Sequence, residues 1–136
     1  MSDMSETTSI AGTVLLVEDE EMVRNITTRM LTRLGFTVLA APDGAEAVAV
    51  FRQHQDEIRC VLCDLTMPGL DGWETLAALR HLAPDLAVIL TSGYDEAQVM
   101  AGDHRQWPQA FLSKPYQLQG LSEALQRALV NQRRGA

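Results

Sequence analysis

The chain has 136 residues, 46% apolar and 21% charged, which is enough for one globular domain with a real core and not for two. Its 11 basic and 18 acidic residues give a net charge of −7 with no Lys/Arg block, which argues against direct nucleic-acid binding by this domain. No run is long enough to span a bilayer, and Met1–Gly12 lacks the basic start and apolar core of a signal peptide, so a leader or linker and a cytoplasmic location are expected.

Thr13–Val17 is a continuous apolar run without alternation, as a central parallel strand covered on both faces requires. The acidic cluster Glu18-Asp19-Glu20-Glu21 follows, favourable at a helix N-terminus. Met22, Val23, Ile26, Met30, Leu31 and Leu34 then recur at helical spacing until Gly35, and the Met22/Ile26/Met30 face reads as core rather than a partner site. Phe36–Ala41 is a second strand, and Pro42-Asp43-Gly44 is a turn whose Asp43 can cap a helix carrying Ala47, Val48 and Phe51. That helix fades around His54–Glu57.

Cys60–Asp64 is a third, buried strand ending in a carboxylate, followed by the breakers Met67-Pro68-Gly69 and Asp71-Gly72. Trp73, Leu76, Ala77 and Leu79 mark a third helix ended by Ala83-Pro84, and Leu86–Thr91 is a fourth buried strand. Between Gly93 and Pro108 only Asp95–Ala101 has the pattern of a short helix. Ala110–Ser113 is a fifth strand. Gln117–Gln132 is a terminal helix with Leu118, Leu121, Leu125 and Leu129 inward.

Five βα repeats with short connections predict right-handed crossovers and helices on both faces of one sheet. The expected fold is α/β: a doubly wound (βα)5 flavodoxin-like parallel five-stranded sheet of order 2-1-3-4-5 over residues 13–132, with 133–136 as a tail. Cys60 and Cys63 form a CxxC, but residues three apart on a strand point to opposite faces, and His54, His81 and His104 are scattered. The pair reads as core.

In such a sheet Glu18, Asp19, Asp64, Thr91 and Lys114 gather at the carboxyl edge, where α/β sheets place their chemistry. Three carboxylates in one crevice repel one another, and a hard divalent cation relieves this; magnesium suits a site completed by waters and phosphate oxygens. Lys114 and Thr91 add a positive charge and a hydroxyl donor for a phosphoryl group carried by Asp64, a carboxylate nucleophile.

From Thr13 to about Gln132 the chain resembles the receiver domain of two-component response regulators and hybrid histidine kinases. The resemblance rests on VEDE after the first strand, DLTMPGLDG at the third, LTSGY at the fourth and FLSKPY at the fifth, in that order. It implies that Asp64 is the phosphoacceptor, and that Asp19 holds Mg²⁺ directly with Glu18 acting through water. It implies further that Thr66 offers a backbone carbonyl to the metal, and that Thr91 and Lys114 are the switch hydroxyl and the phosphate-binding lysine. By the same resemblance Phe111 is the switch aromatic and Lys114-Pro115 a cis bond. The implied partner is a histidine kinase or histidine phosphotransfer protein, with output through the face of the fourth helix, fifth strand and fifth helix. That face also allows a weak homodimer.

Three departures stand out. Phe111 has no hydroxyl, so any switch works by packing. Gly93, two after Thr91, has no side chain to shield a phosphoryl group, and the irregular Gly102–Pro108 portion resembles hybrid-kinase receivers. Taken singly, the acids read as helix caps, Lys114 as a surface lysine and Trp73 as packing; five such coincidences at strand ends are jointly improbable. A Mg²⁺ phosphohydrolase with an aspartate nucleophile would want a second acid where Thr66 stands. A pseudo-receiver interaction module would lack a part that this sequence has. A flavodoxin phosphate loop would be repelled by Glu18–Glu21.

Overall fold

The computed structural model describes residues 12–135, so most of the Met1–Gly12 leader lies outside the described residues. Strands and helices alternate as β1 (Thr13–Val17), α1 (Glu21–Arg33), β2 (Thr37–Ala41), α2 (Gly44–His54) and β3 (Ile58–Asp64). They continue as α3 (Gly72–Leu82), β4 (Ala87–Ser92), α4 (Glu96–Val99), β5 (Ala110–Ser113) and α5 (Leu118–Gly135). The strands form one parallel sheet of order β2-β1-β3-β4-β5, as expected. β3 begins two residues earlier than Cys60, and α5 is helical past Gln132 to Gly135.

The apolar runs make sense as strands buried on both sides. Alternate residues feed two cores, one per face. Leu15, Val17, Val61, Cys63, Val88, Leu90 and Phe111 pack with α2 and α3 residues such as Phe51, Leu76 and Leu79. Val14, Leu16, Cys60, Leu62, Ile89 and Leu112 pack with α1 and α5 residues such as Leu31, Leu121 and Leu125. Cys60 and Cys63 therefore lie in different cores, and burial pushes the Cys60 thiol up to about 12 and the Cys63 thiol upward as well. Both thiols are free and buried, so they are not paired with each other.

The helix caps follow the sequence. Asp43 Oδ1 accepts from Glu46 N–H at 2.8 Å, and Asp71 and Glu74 form a reciprocal capping box at 2.9 Å each way. On α3, Leu76 and Leu79 are buried with Thr75 and Arg80, Trp73 is half-buried and Ala77 faces solvent. On α5, Ala124 and Ala128 join Leu121 and Leu125 in the core while Leu118 and Leu129 sit at its edge.

One expectation is corrected. Met22 is 75% exposed and Ile26 52%, so this end of α1 is a bare apolar surface and not core. At roughly 100° per residue, Met22 and Ile26 lie well around the helix axis from Thr27 and Leu31, which meet the sheet. Between β4 and β5 only Glu96–Val99 is helical. Gly102, at φ +104, turns the chain, and a stretch without regular secondary structure completes the crossover.

Candidate functional site

The sheet register assembles the site. Val17 pairs with Cys63 and Asp64 with Thr91, while Ser92 pairs with Ser113, so Glu18, Asp64 and Lys114 emerge at one edge. The loop after Asp64 is tight. Leu65 N–H donates to Thr91 O at 2.8 Å, and Gly72 N–H returns to Leu65 O at 2.8 Å. A Cβ on Gly72 would fall 2.6 Å from Leu65 Cα and 2.9 Å from Asp64 O, so only glycine lets α3 start this close to the acceptor strand. Gly69, at φ +77, makes the turn between them.

Carboxylate oxygens of Glu18, Asp19 and Asp64 all lie within 4.8 Å of one another. Glu18 and Asp64 are buried, and Asp19 is exposed at the mouth. Lys114 Nζ donates to Glu18 Oε1 at 2.9 Å and sits 3.3 Å from Asp64 Oδ1. Burial, then the charge of Glu18, push the Asp64 carboxyl from 3.8 up to about 6, with Lys114 pulling the other way. Burial by itself would lower the Lys114 ammonium, but its hydrogen bond to Glu18 and the carboxylate charges raise it overall. The outcome is a charged lysine facing a carboxyl group raised well above its ordinary range by burial and by Glu18.

Glu18 is fixed on all sides: its N–H to Ala41 O, its Oε2 by Glu20 N–H, and its carbonyl by Arg24 Nη1 at 2.8 Å. The crevice is open, of about 450 Å³, and bounded by Asp19, Glu20, Asp64, Thr66, Tyr94 and Lys114. Hard oxygen donors around a void that no protein group fills suit a small divalent cation with its own waters. The Lys114-Pro115 bond is cis.

Thr91 and Phe111 do not come together. Phe111 packs in the α2/α3 core with Leu90, whereas Ile89 lies in the opposite core, so strand alternation puts Thr91 on the far face from Phe111. Ser92, the last residue of β4, is on Phe111's face and 1% exposed, and its Oγ accepts from Tyr94 N–H at 3.0 Å. Sequence reading stopped the strand at Thr91 and so missed Ser92. Counting alternation along β4 from Leu90 would have found it. Tyr94, 63% exposed on the crevice rim, was missed as well, because a lone tyrosine in a loop carries no signal of its own.

A five-stranded doubly wound sheet carrying an acidic crevice and one lysine at its carboxyl edge defines the phosphoacceptor modules of two-component signalling. Residues 14–126 match the response regulator receiver domain, and the chain belongs to that family, whose members are regulatory phosphoacceptors rather than true enzymes. Among its relatives are sensor kinase CckA of Brucella abortus, 35% identical over 95% of this chain and 14% of that one, and chemotaxis protein CheY of Bacillus subtilis, 27% identical over 88% and 99%. The response regulator receiver domain protein of Clostridium thermocellum has the same fold, with a TM-score of 0.82 and 25% identity over 92% of this chain and 99% of that one. The chain thus spans 14% of the CckA kinase, 57% of the tetrathionate response regulatory protein TtrR, and nearly all of CheY. The acidic cluster is of the type that receivers use for Mg²⁺. No helix among the described residues is long and apolar enough to cross a membrane.

Proposed function

We propose that Asp64 accepts a phosphoryl group from a phosphohistidine on a histidine kinase or histidine phosphotransfer protein. The observation that carries this reading is the Lys114 ammonium bridging the buried carboxylates of Glu18 and Asp64 in the open acidic crevice. An Asp64 carboxylate oxygen attacks phosphorus, a P–O bond forms and the P–N bond breaks. The electron pair goes to the imidazole nitrogen, and the ring, already carrying a proton on its other nitrogen, departs as a neutral histidine. Lys114 meets the equatorial oxygens as charge shifts onto them. Glu18, Asp19, Asp64 and the Thr66 carbonyl would hold Mg²⁺, which supplies positive charge to offset carboxylates and phosphoryl alike.

Ser92, not Thr91, is the hydroxyl we assign to the switch. It shares Phe111's face, and Lys114 N–H donates to its carbonyl at 2.7 Å. Movement of Ser92 toward a phosphoryl group frees space for Phe111, which responds by packing since it has no hydroxyl. Tyr94, two after Ser92, then takes the shielding place that Gly93 cannot fill. Output runs through the α4–β5–α5 face, either by docking of a free-standing receiver or within a hybrid kinase, and a weak homodimer would use the same surface.

Bare Ile26 on α1 lines, with Val23 and Met30, an apolar cavity of about 390 Å³ shared with Lys114, Pro115 and Tyr116, and exposed Met22 stands one turn before Ile26. An apolar surface ending at the phosphate-binding lysine is where a donor helix would seat its own apolar face. Intact mass after incubation with Mg²⁺ and acetyl phosphate tests the acceptor reading. One phosphoryl group is expected on the wild type and none on Asp64→Asn; labelling retained in the variant would sink the assignment.

A further inference from the structure

The β4–β5 crossover spends seventeen residues, 93–109, on a single turn of helix, and two fasteners of different character hold it down. At its end stands Arg80 of α3, 8% exposed. Its guanidinium donates to Leu86 O at 2.9 Å, Trp107 O at 3.1 Å, Gln106 Oε1 at 3.1 Å and Gln109 Oε1 at 2.6 Å. Gln109 Oε1 also accepts from Val88 N–H at 2.7 Å, so this fastener is tied into β4. A buried cation spread over four acceptors cannot be undone singly without stranding charge.

The middle is held more lightly. The His104 ring lies flat on the Trp73 indole, with centroids 3.6 Å apart and planes 6° from parallel, and Trp107 stands edge-on to both. Between Gly93 and Gln109 Val99 is the one buried residue. Beneath the strap is a cavity of about 300 Å³ reached by Thr66, Trp73, Tyr94, Val99 and His104. Tyr94 borders this cavity and the acidic crevice at once.

We infer that residues 94–104 form a strap that lifts off α3 when Asp64 is phosphorylated, with Gly93 and Arg105 as hinges and the Arg80 fastener staying closed. This rests on the acceptor reading above. The trigger is local: Ser92 Oγ holds Tyr94 N–H at 3.0 Å, and a Ser92 side chain turned toward the phosphoryl group gives up that bond at the start of the strap. What the strap uncovers is the Trp73 indole face on α3, a surface separate from the α4–β5–α5 face.

The chain's two tryptophans are both in the cluster, so intrinsic emission reads the strap directly. Phosphorylation with acetyl phosphate and Mg²⁺ is expected to raise tryptophan emission and shift it to the red, in proportion to the phosphoryl gain measured by intact mass on the same sample. His104→Ala should give the raised emission without phosphorylation, and so should Ser92→Ala, which lacks the bond to Tyr94 N–H from the start. A full phosphoryl gain with unchanged emission would overturn the strap while leaving the acceptor reading intact. No mass gain would remove both acceptor and trigger. The fasteners are judged independently by hydrogen exchange of the unmodified protein, where amides 95–104 should exchange faster than 107–111; equal protection overturns the two-fastener arrangement.

Discussion

Lys114 is bound more closely to Glu18 than to the acceptor Asp64, at 2.9 Å against 3.3 Å. The lysine is thus parked on a neighbouring acid until an incoming anion competes for it. Glu18→Gln should release it toward Asp64 and weaken Mg²⁺ binding by about tenfold, since an outer partner that orients the metal ligands is lost. Titration of Mg²⁺ against the Asp64 carboxyl carbon resonance measures both effects. Unchanged affinity would mean that Glu18 plays no part in holding the ion.

In metal-free protein the Asp64 carboxyl should titrate near 6, held up by burial and by Glu18. The folded value exceeds the unfolded one of 3.8, so the folded state binds more protons between these pH values. The stabilisation is therefore full below about 3.8 and is lost as pH rises through about 6. Asp64→Asn should accordingly be more stable than wild type at pH 7, by ~1–2 kcal/mol after allowing for the open side of the crevice. Denaturant titrations at pH 7 and pH 4 test this, because the gap should shrink in acid.

Ser92→Ala should still accept phosphoryl from acetyl phosphate but lose the packing change at Phe111, read from the Phe111 ring resonances. Thr91→Val, on the opposite face, should leave that change in place. The reverse pattern would return the switch to Thr91.

Met22→Asp or Ile26→Asp should slow transfer from a phosphohistidine protein without altering labelling by acetyl phosphate, because both side chains are exposed and neither lines the acidic crevice. Equal slowing with both donors would place these residues in the chemistry instead of the docking.

Gly72→Ala forces a Cβ against the Leu65 and Asp64 main chain. A loss of about 1–3 kcal/mol is expected, as for other overpacked sites. Thermal melts of the variant measure it.

The fold was legible because each strand is a short unbroken apolar run closed by a charge or a breaker, and each long helix has a period. Asp64, Glu18, Asp19 and Lys114 were legible because chemistry collects where such runs stop. What escaped was set by orientation. Met22 and Ile26 are apolar and correctly spaced, and only the rotation of α1 on the sheet leaves them bare. Thr91 and Ser92 are both small hydroxyl residues, and one step along a strand exchanges faces. The Arg80 fastener joins α3 to residues 26–29 positions later, a separation over which no local pattern speaks.

Cys60 and Cys63 are the only thiols in the chain, and each is sealed beneath a different helical layer. They amount to two clocks. The rate at which Cys60 becomes alkylated times the opening of the α1/α5 layer, and that of Cys63 the opening of the α2/α3 layer. If the two layers come apart as one unit, the clocks keep the same time; if phosphorylation loosens only the layer under the crossover, Cys63 runs ahead.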